Sequence, residues 1–253
     1  MLKILREEFV RMSMDFKLYV TILLIIIIYL ARGRYEFWQA IFLILGDNDE
    51  LYFAAPTLLG LISVASFAGD MHSGYYRPLC MRYGVPKYVY AKAIYITLAP
   101  FCIALLCHVI AFLAMTIGGV PLYSDSTEYD IIIHSRYLGW ALEYGAWWPY
   151  MLGGAICLGA GSCLLISIAA YASVYIPSRM FIWALPVILN LFCMILASQL
   201  RVPNYLNINM LIRGRVAGLE PCPTLYILAL LVLPTLLIMR AFVHAAKRRV
   251  LNA

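Results

Sequence analysis

With 253 residues, of which 64% are hydrophobic and 13% charged, and a mean hydropathy of +0.86, the chain lies far from the roughly 25% charge of soluble domains. That balance excludes a soluble enzyme or binding module and implies an integral membrane protein. The net charge of +6 comes from basic residues dispersed at the borders of apolar runs, so it does not indicate nucleic-acid binding.

The first sixteen residues place Leu2, Leu5, Phe9, Met12 and Phe16 on one helical stripe, with Lys3, Glu7 and Arg11 off it and Glu7 four residues before Arg11. Residues 1–16 therefore read as an amphipathic helix lying along the membrane surface. Six apolar runs follow, at 16–31, 51–68, 90–117, 150–175, 180–200 and 224–242, each meeting or approaching the roughly 20 residues that cross a bilayer. The first is the shortest, since only Leu18 to Ala31 lacks charge and Lys17 has to snorkel to the interface. None of the runs alternates with period two, which excludes a barrel and leaves helices. The expected fold is thus an all-α integral membrane protein: one transmembrane domain over 1–253, with six spans, an interfacial N-terminal helix and short outer helices before the last span.

Between the first two runs, Phe37, Trp38, Ile41, Phe42 and Leu45 repeat an amphipathic pattern ahead of the acidic turn GDNDE. The segment from Gly118 to Trp148 reads as a tyrosine-rich, acidic outer loop, with Trp140, Trp147 and Trp148 at headgroup level. In the fourth run Gly154, Cys157 and Gly161 share one face, and Ala155 and Gly159 share an adjoining one. Small residues at that spacing suit close helix packing, within one subunit or between two. Segment 201–223, bounded by Pro203 and Pro221, is too apolar for a free loop and too interrupted to cross, so it is expected to fold back as a re-entrant cap at the outer surface.

Lys and Arg counts set the orientation. With the N-terminus inside, the inner segments hold Lys3, Arg6, Arg11, Lys17, Arg77, Arg82, Lys87, Lys92, Arg179, Arg240, Lys247, Arg248 and Arg249. The outer ones keep Arg32, Arg34, Arg136, Arg201, Arg213 and Arg215 together with most of the acids. Both termini are then cytoplasmic, in a multi-pass plasma-membrane protein. No cleavable signal is expected, because Met1 to Lys17 carries charge where a signal peptide is apolar. The seven cysteines suggest no disulfide framework: Cys102, Cys107, Cys157, Cys163 and Cys193 fall in spans, Cys80 inside, and Cys222 alone outside.

Enzymatic and metal readings are weak. Gly159 to Cys163 reads G-A-G-S-C, so Ser162 stands one place late for the G-x-S-x-G nucleophile of rhomboid proteases, and Glu7, Glu8 and Arg11 fall one residue short of E-E-x-x-x-R. His72, His108, His134 and His244 occur singly, without metal-ligand spacing. His108, well inside a span, suits a hydrogen bond to a neighbouring helix. No catalytic, metal or cofactor-binding residue is assigned.

The most informative stretch is FAGDMHSGYYRPLCMRYGVPKYVYAKAI, residues 67–94, polar and basic between two apolar runs. Asp70, Ser73, Gly74, Leu79, then Tyr83-Gly84-Val85-Pro86, Tyr88 and Lys92 resemble the loop between the second and third spans of ABC-2 type permeases, the membrane subunits of ATP-driven transporters. The order of elements along the chain is similar to that family more loosely. The resemblance implies a cytoplasmic coupling loop at 70–90, an ATP-binding subunit on a separate chain carrying ATP and Mg, and a second permease subunit, identical or related. The lack of a G-x-x-x-x-G-K-[ST] loop in this sequence agrees with a borrowed energy source. On this reading Ser73 to Gly84 forms the coupling helix, starting at Pro78, with Tyr75, Tyr76, Arg77 and Leu79 meeting the ATPase. Asp70, at a helix C-terminus where an acid opposes the macrodipole, needs a cation, Lys92 or Arg82. Apolar spans without an intramembrane charge cluster suit export of an amphipathic or hydrophobic cargo, a peptide among the candidates, from a bacterial cell. A membrane-embedded sensor or scaffold without transport is the alternative.

Overall fold

The computed structural model describes residues 1–35, 49–120, 138, 141, 144–176, 178–203, 206–214 and 223–251. The segment around Phe37 to Leu45, Trp140, most of the loop between Gly118 and Trp148, and Pro221 with Cys222 lie outside the described residues. Every regular element among those described is helical: α1 (Leu2–Ser13), α2 (Phe16–Tyr35), α3 (Asp49–Ser73), α4 (Tyr76–Tyr83), α5 (Val85–Ile117), α6 (Trp147–Ser173), α7 (Arg179–Gln199), α8 (Ile208–Ile212) and α9 (Pro223–Leu251).

Five of these helices, α3, α5, α6, α7 and α9, are long and apolar enough to cross a membrane, and α1 with α2, bent by 65° at their junction, supplies a further candidate. The chain is therefore a multi-pass helical membrane protein, the class its composition demanded. Several helices run past the ends of their apolar runs. α3 continues through Asp70 to Ser73, and α5 starts at Val85, immediately after Gly84. The polar stretch at 70–90 is thus two helix ends and a short helix, with little loop between.

α6 is the hub. It packs on α3, α5, α7, α8 and α9, and 83% of its apolar window is buried, against 22% for α7 at the periphery. Its small residues make this position available, because a helix lined by Gly, Ala and Ser lets neighbours approach closely on all sides. A Cβ on Gly159 would stand 2.8 Å from the Phe101 ring of α5, and one on Gly161 would collide with Ile212 of α8. The packing of this face is within the chain, with Gly154 and Cys157 buried beside it.

α8 packs against the bundle interior. Gly161 lies 14 positions after Trp147 in a helix of 27 residues, about 21 Å along its axis at ~1.5 Å per residue. Ile212 therefore reaches the middle of α6, and Leu211 and Ile212 are 2% and 1% exposed. Asn207 accepts a hydrogen bond from the Asn209 amide at 3.1 Å and caps the short helix.

Polar ties cross the apolar interior. Tyr29 Oη of α2 lies 2.7 Å from His108 Nδ1 of α5, giving that histidine the interhelical partner a lone intramembrane imidazole needs. Asn190 donates to the Tyr52 carbonyl at 3.2 Å, joining α7 to α3.

Candidate functional site

The turn between α3 and α5 is built by two glycines. Gly74 has φ +72° and Gly84 φ +84°, conformations that side chains rarely adopt, so the pair of reversals bracketing α4 is written into the S-G and Y-G dipeptides. The Ser73 hydroxyl donates to the Gly69 carbonyl at 2.8 Å, and its oxygen accepts from the Tyr75 amide at 3.4 Å. Pro78 sits in the first turn of α4, where its missing N–H removes nothing, so the helix starts at Tyr76 and not at Pro78.

Below α4 lies a cluster of four charges, with Glu8, Asp70 and Lys92 buried and Arg11 at its exposed edge. The Lys92 ammonium, 0% exposed, reaches Asp70 Oδ2 at 2.6 Å, Glu8 Oε2 at 2.7 Å and Ser66 Oγ at 2.6 Å. An ammonium has three protons to donate, and all three are used. Asp70 Oδ2 also accepts from Tyr88 Oη at 3.0 Å, and Oδ1 from Arg11 Nη1 at 2.9 Å. Ser66 donates to Glu8 at 3.0 Å, and Arg11 lies 4.0 Å from the other Glu8 oxygen. Two acids against two bases leave no net charge. Such burial survives because every partner is present, since isolated ions in a dry interior cost several kcal/mol each.

Three helices contribute: Glu8 and Arg11 from α1, Ser66 and Asp70 from α3, Tyr88 and Lys92 from α5. Their convergence explains the placement of α1, which turns Ile4 and Glu8 inward and leaves Leu2 exposed. Leu5, Phe9 and Met12 are partly buried against the core, and Phe9 meets the Tyr95 ring edge-on at 5.6 Å. Three residues of the amphipathic stripe read from the sequence thus pack on the core, beside the bond from Glu8 to Lys92.

α1 also holds α4 at both of its ends. The Arg11 guanidinium lies 5.4 Å from the centre of the Tyr75 ring, and Tyr83 Oη donates to Glu7 Oε1 at 2.9 Å. This bond to the carboxylate, with some desolvation, raises the Tyr83 phenol above its ordinary range.

The residues singled out for coupling fall into two sets. Asp70 and Lys92 are sealed in the charge cluster, and Tyr76 and Leu79 turn into the core, so none of the four is on the surface. Ser73, Tyr75, Arg77 and Arg82 are exposed, and Gly74 is half-buried. Arg82 lies over the Tyr83 ring at 5.3 Å and is no partner of Asp70; Lys92 and Arg11 fill that place. Glu8, Arg11 and Ser66 were not anticipated in this cluster. The available signal was the spacing of Ile4, Glu8 and Arg11 on one face of α1. Met81, 88% exposed, extends the outer face of α4.

The six described cysteines are all free, and the described residues contain no group of three metal-ligating side chains. Compared with protein-family models, with curated proteins and with solved structures, the chain has no match. Fold and site together define a multi-pass helical membrane protein with a neutral, buried charge joint under a short, two-sided helix.

Proposed function

We propose that the chain is the membrane-spanning permease subunit of an ATP-driven exporter of ABC-2 type. On this proposal it has six spans, counting α2, lies in a bacterial plasma membrane with both termini cytoplasmic, and moves an amphipathic or hydrophobic cargo, such as a peptide, outward. ATP and Mg belong to a separate ATPase chain. A second permease subunit pairs with this one, and the exposed apolar stripe of Ile188, Leu191, Phe192 and Ile195 on α7 is a suitable surface for it.

The observation that carries the reading is the construction of α4. One face, Tyr76 and Leu79, is locked into the bundle, while the other presents Tyr75, Arg77, Met81 and Arg82 outward. Tyr and Arg are the side chains that dominate interface energetics. A helix held this way moves only with the elements that hold it. A push on its outer face would reach α1 through Tyr75 and Tyr83, and from there α3 and α5 through the charge joint. That is the mechanical requirement of a handle for a motor on another chain.

The test is co-purification in mild detergent followed by ATPase assay. A tagged chain should retain a stoichiometric ATPase, and Tyr75→Ala with Arg77→Ala and Met81→Ala should reduce cargo-stimulated hydrolysis to the basal rate without altering expression. Retention of a signalling kinase, or of nothing, favours a sensor or scaffold, and undiminished stimulation in the triple variant removes the role given to α4.

A further inference from the structure

Along α9, Arg240, His244 and Lys247 stand at i, i+4 and i+7, one stripe of basic side chains that opens onto a groove between α9 and α5. The groove encloses about 960 Å³. Its floor is Ala160 and Cys163 of α6, and its walls include Phe101 of α5 and Leu236 of α9. Among the described residues, no acidic side chain lines it. Arg240 and His244 are exposed and form no ion pair among the described residues, whereas Lys247 lies 4.2 Å over the Tyr90 ring. This pattern is the opposite of the charge joint, where each cation is matched.

The dimensions fit one leaflet. From Arg240 to Val232, the apolar stretch of the groove on α9, is eight residues, about 12 Å at ~1.5 Å per residue. Half of a hydrocarbon core is ~15 Å. The basic stripe occupies the next two turns, towards the α4 end of the bundle. Arg240, His244 and Lys247 thus stand in line at the head of an apolar channel.

We propose that this groove is a binding site for an anionic phospholipid, the acyl chain lying against Phe101 and Leu236 and the phosphate meeting Arg240 and Lys247. Charge complementarity selects this occupant. A second copy of the chain related by two-fold symmetry would bring the same basic stripe against itself, without acids to neutralise it. The groove also faces away from α7, which packs on α6 but shares no extended contact with α9. The inference is independent of the transport reading: a scaffold with this surface would bind the same lipid.

Native mass spectrometry of the full chain, released from nanodiscs of equal phosphatidylglycerol and phosphatidylcholine with identical chains, decides the matter. Phosphatidylglycerol should be retained preferentially. Arg240→Gln with Lys247→Gln should weaken that retention about thirty-fold, as expected for two basic contacts, and leave phosphatidylcholine unchanged. Arg240→Lys with Lys247→Arg keeps the charges and should keep the preference. Ala241→Trp, on the exposed side of the groove, should expel both lipids. Equal retention of the two lipids overturns the proposal, as does displacement by millimolar inorganic phosphate alone, or a dimer that Ala241→Trp dissociates.

Discussion

Two joints of the bundle are held by different physics. At the α4 end, Glu8, Arg11, Asp70 and Lys92 join three helices through short charge-assisted bonds. Midway along α6, Ile212 of α8 enters a space left by the missing side chain of Gly161, an apolar contact. The first joint is costly to assemble and specific in geometry, because one absent partner leaves a buried ion. The second is a close apolar contact, which tolerates change in proportion to the volume altered.

The sharpest way to break this contrast is at Lys92. Lys92→Met removes the side chain that touches Glu8, Asp70 and Ser66 together, and leaves two carboxylates beside Arg11. The expected loss is ~3–5 kcal/mol in unfolding free energy, read from denaturation in detergent. Adding Asp70→Asn should return part of it, since one acid then faces one base, with a coupling of ~1–3 kcal/mol in the double-mutant cycle. Additive losses would mean that the four charges do not act as a unit.

At the α8 contact the competing terms can be weighed. Gly to Ala inside a helix gains ~0.5–1 kcal/mol from backbone entropy. At Gly161 the new Cβ meets Cβ and Cγ1 of Ile212, atoms near the backbone that cannot swing aside, and overpacking costs ~1–3 kcal/mol. Gly161→Ala should therefore lower the thermal midpoint, and Ile212→Ala in the same chain should restore part of the loss. Gly69→Ala is the control: nothing lies within 4 Å of its would-be Cβ, so the entropy gain should appear as a small rise. A fall at Gly69, or no change at Gly161, would contradict the packing described.

How much of this was legible depended on sequence distance. Hydropathy marked the helices, Tyr83-Gly84-Val85-Pro86 marked the turn after α4, and the fourth run's small residues marked α6 as a helix others approach. Asp70 stood out as an acid needing a cation, and Lys92 was one of two candidates. Glu8 and Arg11 were hidden because their bonds to Ser66 and Asp70 span 58 and 59 residues, and no local pattern ties a surface helix to an interior lysine. Ile212 was hidden for the same reason: Gly161 shows that something comes close, and only the fold shows what.

The smallest effect expected separates the two faces of α4. Cys80 and Met81 are adjacent, yet Cys80 is half-buried and packed against the core while Met81 is 88% exposed. Burial raises the Cys80 thiol above its ordinary range, and the thiolate is the reactive form. In a chain whose other cysteines are replaced by alanine, Cys80 should react with a membrane-impermeant maleimide more slowly at neutral pH than Met81→Cys in a Cys80→Ala background. The Cys80 rate should go on rising with pH after the Met81→Cys rate has levelled off. Both should label from the same side of the membrane, the side that carries α1. Equal rates and parallel pH profiles would mean that α4 rolls freely, and a helix that rolls cannot transmit a push to α1, so this comparison of two neighbouring thiols bears on the handle as directly as any ATPase assay.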